Sequence, residues 1–500
     1  AGKMKAHVLL SVCAWAANCQ ATLRDHGFMM EWADRAGKLV FQEVENPHED
    51  NIVTFINLAL LFYARGLWRR SYIHKGNATL LAQILGLGSD HPGKEDLWES
   101  EVRRRRFWAS YLIEGHSSES TSMIVRQPPE STLKLTLPWR EEDFEVGIPS
   151  QPRACLDSGQ SNGGLFCELI KAMTIWSAVN GLIKKPITKI DSRISAIHAL
   201  DQRISEWWGS LPACLHLMPS DIPDVALDVL PKLLLLHVIY HQSLTALHAS
   251  IVPLFSWSPG DDSWLSARQI SAQVAFDHAC TASDLFRAVL THFSMLSAIP
   301  SFVAYAAYCG CAIQIPYMWC SQQTVMEKAH KNVKVNIKII TTLSEYWKLN
   351  SLFEVYVRYL YKIHSKAATA LENEPKSDNP VKLTGFKFSA ENATKTILGF
   401  NRILWTKDNG YAAPGEELND LGVEDRDIHI MEECTFYFNV LICTNRITFK
   451  QLLRIAFCRL NLQRIYSPRK NNINDPLPQL RDSIPSRTRR APTGKKWNRN

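Results

Sequence analysis

No Cys-x-x-Cys pair occurs anywhere in these 500 residues, and the 12 cysteines are scattered along the chain. That sparsity excludes a disulfide scaffold. Most of the cysteines lie in apolar runs, which suits reduced, buried thiols and a reducing compartment. Strand alternation is rare, and neither a βαβ rhythm nor a fixed-period repeat is present. Charge of one sign is also missing from most of the chain. The formal excess is +7, but Ser467–Asn500 alone holds nine Lys/Arg against two Asp, so residues 1–466 balance at 47 against 47. A body without net charge makes a poor general phosphate binder, so the basic excess does not mark a protein that coats nucleic acid.

Phe293–Met326 lacks Asp, Glu, Lys and Arg altogether. It is long enough to span a bilayer, but Pro300 and Pro316 confine the helix to Ser301–Ile315, so it reads as a buried helix and no membrane is expected. Lys3 and Lys5 ahead of Ala6–Ala17 mimic a secretory signal. The apolar pattern runs on into further helices, and the segment reads as an internal helix.

What is present is helix after helix. Ile52–Ala64 is apolar on nearly every face, as a central helix is. A short link at Gly66 leads to Trp68–Leu87, which predicts an antiparallel pair. Leu97–Ile113, Leu165–Asn180, Asp191–Trp208, Leu233–Ala249, Ser266–Leu290, Ser301–Ile315 and Val325–Ile363 follow, with a long loop over Gln127–Gly164. The chain is therefore all-α over residues 1–365. Residues 366–430 read as a linker, 431–466 as an apolar segment of either helix or strand, and 467–500 as a basic, Pro-rich, disordered tail.

Several motifs invite chemistry. Gly88-Ser-Asp-His-Pro-Gly93-Lys94 matches a phosphate loop, but Pro92 removes a donor, Glu95 replaces the Mg²⁺-binding hydroxyl and a helix precedes it. It reads as a helix-terminating loop. Gly159-Gln-Ser161-Asn-Gly163 matches a nucleophile elbow, which would make Ser161 the nucleophile of a serine hydrolase. No buried strand feeds it, and an exposed, mobile loop is expected instead. His237, His241 and His248 share one helix face and could chelate Zn²⁺, but their apolar neighbours make them core or interface histidines. Asn77-Ala-Thr79 and Asn392-Ala-Thr394 fit the glycosylation sequon without structural support.

Arg103–Arg106 looks like a basic tag. Four consecutive helical residues sweep about 300°, so they cannot share one solvated face. Phe107, Trp108, Tyr111 and Leu112 complete an apolar side. Arg104 or Arg105 must therefore turn inward and find a carboxylate, with Glu99–Arg103 and Glu101–Arg105 as the local pairs.

The third helix and its loop read Glu101-Val-Arg-Arg-Arg-Arg-Phe-Trp108, then Val125-Arg-Gln-Pro-Pro129, then Leu137-Pro-Trp-Arg-Glu-Glu-Asp-Phe144. Trp68 through Gly76-Asn-Ala78 to Leu85-Gly-Leu-Gly88 precedes them, and Leu200 through Trp207-Trp-Gly-Ser-Leu-Pro212 follows. In this order the segments resemble the middle homology region of fungal zinc-cluster (Zn2Cys6) transcription factors, over about residues 6–363. The resemblance implies an all-helical regulatory domain and no enzyme. It marks Trp68, Gly76, Glu101, Arg103, Arg104, Arg105, Phe107, Trp108, Pro128, Trp207 and Pro212 as structural motif positions. It implies control of RNA polymerase II transcription in the nucleus, with DNA bound through an upstream zinc-cluster domain that is not in this sequence. Two Zn ions are expected only with that domain. A coregulator, a small-molecule effector or a second copy of the chain are the candidate partners, and Arg487–Arg490 with Lys495–Lys496 is a candidate nuclear signal. The alternative is an all-helical scaffold without DNA binding.

Overall fold

The computed structural model describes residues 4–384 apart from 90–96, 118–129, 150–152, 158–160, 186, 188, 257–262, 295 and 367. Twelve long helices make up the described residues: α1 (Ala6–Asn18), α2 (Phe28–Gln42), α3 (Glu49–Ala64), α4 (Trp68–Ile84), α5 (Leu97–Ser117), α6 (Leu165–Lys184), α7 (Ile190–Gly209), α8 (Leu230–Ala249), α9 (Leu265–His292), α10 (Ser301–Gln314), α11 (Gln323–Ser344) and α12 (Asn350–Lys366). Among the described residues there is no strand, and Thr136 and Cys155 form one isolated bridge. The all-α expectation holds.

The first three helices share a small core, in which Leu10 and Ala14 meet Met29, Ala33, Leu58 and Phe62. The apolar α1 is packed inside the fold, with Val8, Leu10, Val12 and Ala17 buried. Gly66 takes the left-handed conformation that a tight link between α3 and α4 requires. The pair is antiparallel. Ser71 Oγ donates to Ala59 O at 2.7 Å, and His74 packs edge-on against Phe62.

The larger core lies among α6 to α12. Its axis is α10, every residue of which is buried. Pro300 precedes its first residue and Pro316 sits in the 3-10 turn Ile315–Trp319 that follows, so the prolines bound it as expected. Small residues let its neighbours come close. A Cβ on Gly310 would lie 2.8 Å from Asn336 Nδ2 of α11. Several polar atoms inside this packing pair with one another. Asn332 Nδ2 donates to Gln314 Oε1 at 2.8 Å, Gln314 Nε2 to Ser283 Oγ at 3.1 Å, and Ser283 Oγ to Asn336 Oδ1 at 3.1 Å. Such a network fixes the register of α9, α10 and α11, because any slip leaves buried polar atoms unpaired.

Several sequence expectations need correction. Val325–Ile363 is two helices, α11 and α12, and the break between them is closed by Trp347 Nε1 donating to Ile299 O at 2.9 Å. The loop over Gln127–Gly164 contains the short helices Glu130–Leu133 and Glu141–Val146. Among the described residues, Leu165–Ile183, not Phe293–Met326, is the helix with the length and composition to cross a membrane. Yet 78% of its most apolar window is buried, as a core helix requires. Within the segment read as a linker, Gln269 Nε2 of α9 donates to Asp378 O at 2.8 Å. The apolar segment 431–466, the tail 467–500, Asn392, most of the Gly88–Lys94 loop and Pro128 lie outside the described residues.

Candidate functional site: an arginine staple and a buried glutamate

The four arginines of α5 share their acids in pairs, Arg104 and Arg105 on Glu101 and Arg103 and Arg106 on Glu49. Arg105 Nε meets Glu101 Oε1 at 3.0 Å one turn back, and its Nη2 donates to Trp139 O at 2.8 Å. Its guanidinium also lies 4.2 Å from the centre of the Phe144 ring. Arg104 pairs with the other oxygen of Glu101. Trp139 N donates to Glu101 Oε1 at 2.9 Å, so this fully buried carboxylate holds three donors. Burial pushes the Glu101 carboxyl up, against the pull of Arg104 and Arg105. The expected inward arginine is Arg105, only 6% exposed in its side chain.

Arg103 departs from expectation. It pairs with Glu49 at 3.2 Å rather than with Glu99, and donates to Leu85 O at 3.1 Å. Arg106 reaches Glu49 and Asp50. These acids sit in the first turn of α3, where the helix dipole already favours negative charge. The run Arg103–Arg106 thus staples α5 to α3 on one side and to the segment 139–144 on the other. Trp108, with no exposed surface, donates from Nε1 to Thr136 O at 2.9 Å and completes the second attachment. Phe107 packs edge-on against Trp108, and a Cβ on Gly88 would meet the Phe107 ring at 2.9 Å. Trp68 opens α4, and Gly76 lies on an exposed face with open space where a Cβ would stand.

The chain next reaches the Ser161 turn, where a second expectation fails. Ser161–Gly163 is half-buried rather than exposed. Ser161 Oγ donates to Glu168 Oε1 at 2.7 Å and accepts from Gly163 N at 3.0 Å. Asn162 Nδ2 donates to Pro138 O at 2.7 Å, and its Oδ1 accepts from Gly164 N at 2.9 Å. Gly163 has φ +75°, which a residue with a Cβ adopts only under strain, and that Cβ would face Pro212 at 3.7 Å. The motif is a structural turn, and no histidine among the described residues hydrogen-bonds Ser161.

Glu168, fully buried in the first turn of α6, collects three side-chain donors. Besides Ser161 these are Lys171 Nζ at 3.2 Å and Trp207 Nε1 of α7 at 2.9 Å. Trp207 and Pro212 therefore clamp the Ser161 turn from the far end of α7. Sequence reading missed Glu168. The available signal was a Glu–Lys pair at i, i+3 in an otherwise apolar helix.

The α8 histidines face separate partners rather than a common point. His237 Nε2 meets Leu215 O at 3.0 Å, His241 Nδ1 meets His278 Nδ1 at 2.8 Å, and His248 Nδ1 meets Ser271 Oγ at 3.2 Å. Burial pushes His237 and His278 down to about 4 and His241 well below its ordinary value. Among the described residues no group of three or more His, Cys, Asp or Glu side chains could hold a metal ion.

No family model matches the chain, and no solved structure does. Curated proteins do. The Zn(2)-C6 fungal-type transcription factor FTF1c of Fusarium oxysporum f. sp. lycopersici is 23% identical over 402 residues, 72% of this chain and 42% of that protein. FTF2 of the same organism is 23% identical over 404 residues, 72% of this chain and 36% of that protein. FTF1a is 21% identical over 400 residues, again 72% of this chain and 36% of its own length. The chain thus spans about two-fifths of the length of the curated relatives it matches. Over 72% of its length, through the ordered motifs that the arginine staple and the Glu168 cluster tie together, the chain is similar to fungal-type Zn(2)-C6 transcription factors.

Proposed function

We propose that this chain is the regulatory region of a fungal transcription factor that controls RNA polymerase II genes. It acts without chemistry of its own. It receives a coregulator or a small effector and passes that state to a DNA-binding domain. The observation that carries this reading is the match to transcription factors over 72% of the chain. The engagement of Ser161 by Glu168 supports it, because that carboxylate is already held by Lys171 and Trp207 and is a weak proton acceptor. Zinc and DNA contacts belong to the family's zinc-cluster domain, and no residue here is assigned to either. The nucleus is the site of action, with Arg487–Arg490 and Lys495–Lys496 as the basic signal.

The test is a reporter experiment in a fungal host. The chain is fused to a heterologous zinc-cluster head whose promoter drives the reporter. Expression should differ at least several-fold from that given by the head alone, and the fusion should be nuclear. Expression equal to that of the head alone across growth conditions would reject the reading.

A further inference from the structure

The outer face of α4 is apolar although it meets solvent. Tyr72, Ile73, Leu80 and Ile84 are each between 44% and 59% exposed. With Gly76 they share an arc of about 120°, opposite the buried His74, Ala78 and Leu81. They form a strip of roughly 400 Å², the size of patch that marks an interaction site. The polar side chains beside it bond back to their own helix. Asn77 Nδ2 donates to Ile73 O at 2.8 Å, and Thr79 Oγ1 to Lys75 O at 3.3 Å. Arg69, in the first turn, is the only exposed charged residue of α4. Gly76 stands in the middle of the strip. A glycine weakens a helix interior, and its usual return is a close approach of another element. Here no other part of the fold comes within 4 Å of the place its Cβ would occupy. The approach that Gly76 permits is therefore unused within one copy.

We propose that α4 pairs with α4 of a second copy of the chain, antiparallel, the two helices crossing at Gly76. The face is self-complementary in this arrangement. A two-fold axis between Gly76 and Asn77 sets Ile73 of each copy level with Leu80 of the other, so apolar meets apolar twice. It also sets Arg69 level with Ile84, where the arginine stem covers hydrocarbon. The two Arg69 charges then stand about 22 Å apart along the helices, beyond the range of screened repulsion. A parallel pairing would bring them side by side. Glycine at the crossing lets the axes come to the near end of the range of about 8–10 Å. The strip offers no charge to an acidic segment or to nucleic acid. With Arg69 and Gln83 at its ends, two copies of the face bury about 1,200 Å², the lower limit of a specific interface. The pairing is thus weak and reversible, and it does not depend on the transcriptional reading.

The experiment is sedimentation velocity of the full chain over a concentration series. A monomer–dimer equilibrium is expected, with its midpoint between about 1 and 100 µM for an interface of this size. Leu80→Glu, at an exposed position, should weaken association at least about tenfold. Gly76→Leu should do the same by holding the axes apart. Its urea midpoint in dilute solution should not fall, because the new side chain meets open space in the monomer. Ile270→Glu, which replaces an equally exposed apolar residue on α9, should leave the equilibrium unchanged. A chain that stays monomeric across the series would overturn the proposal and leave the face to a different protein. Full-strength dimers in the Gly76→Leu and Leu80→Glu variants would overturn it as well, because the contact would then lie elsewhere. Equal weakening by Ile270→Glu would reduce the association to unspecific stickiness and also reject it. None of these outcomes bears on the reporter experiment, so the two readings stand or fall separately.

Discussion

The α3–α5 region and the bundle around α10 solve the same problem by opposite means. In the first, Arg103, Arg105 and Arg106 cross to Glu49, Asp50 and the Trp139 carbonyl beside a small apolar cluster that includes Ile52, Phe55, Leu81 and Phe107. In the second, a helix without a charged residue is enclosed on all sides, and its Gln314 pairs with Ser283 and Asn332 of the neighbouring helices. Apolar burial is roughly proportional to area and tolerant of identity. A buried ion pair is intolerant, because losing one partner strands the other. This explains why the most recognisable motif sits in the stapled region, while the bundle, with most of the core, carries only the shorter Trp207–Pro212 segment.

That contrast can be broken from either side. Phe353 has no exposed surface and stacks on Tyr308 at 5.5 Å. Phe353→Ala should cost about 4 kcal/mol in urea unfolding, with little dependence on salt. Glu101→Gln should cost about 3 kcal/mol, mostly from the stranded guanidiniums. Adding Arg105→Met to that variant should therefore recover part of the loss, and no recovery would mean that Glu101 acts through its other bonds alone.

Acid should attack the bundle. His237, His278 and His364 all lie near 4 because burial disfavours their charged forms, against 6.5 in the unfolded chain. Their unfolded forms take up protons first as pH falls. The stability they permit is complete above pH 6.5 and is lost between there and about 4. From pH 7 to pH 5 each should cost about 2 kcal/mol. Thermal melts across this range should show the loss, and His364→Gln should flatten it.

Two glycines sharpen the comparison at the small end. Gly310→Ala forces a methyl against Asn336 and should cost about 1–2 kcal/mol. Gly76→Ala meets open space in mid-helix and should stabilise by up to about 1 kcal/mol, read from the urea midpoint. A loss at Gly76 would point to a backbone requirement absent from the fold described above.

The sequence was most legible where periodicity alone decides. The prolines around α10, the antiparallel α3–α4 pair and the inward turn of Arg105 follow from spacing. It was least legible where partners are far apart in the chain. Arg103 meets Glu49 instead of the acid four residues before it, because α3 brings two carboxylates to the same place. Ser161 was misread because Glu168 and Trp207 become its neighbours only after α6 and α7 pack together.

The enclosure of α10 also makes its thiols silent. Burial pushes Cys309 up to about 12 and Cys311 higher still, and Cys280 of the neighbouring α9 likewise up to about 12, so none presents the thiolate that an alkylating reagent needs. Cys214, in contrast, lies in the open. Among the described residues, covalent labelling of the native molecule should therefore mark Cys214 early and the seven buried cysteines only as the fold comes apart, giving a clock for global opening that requires no engineered probe.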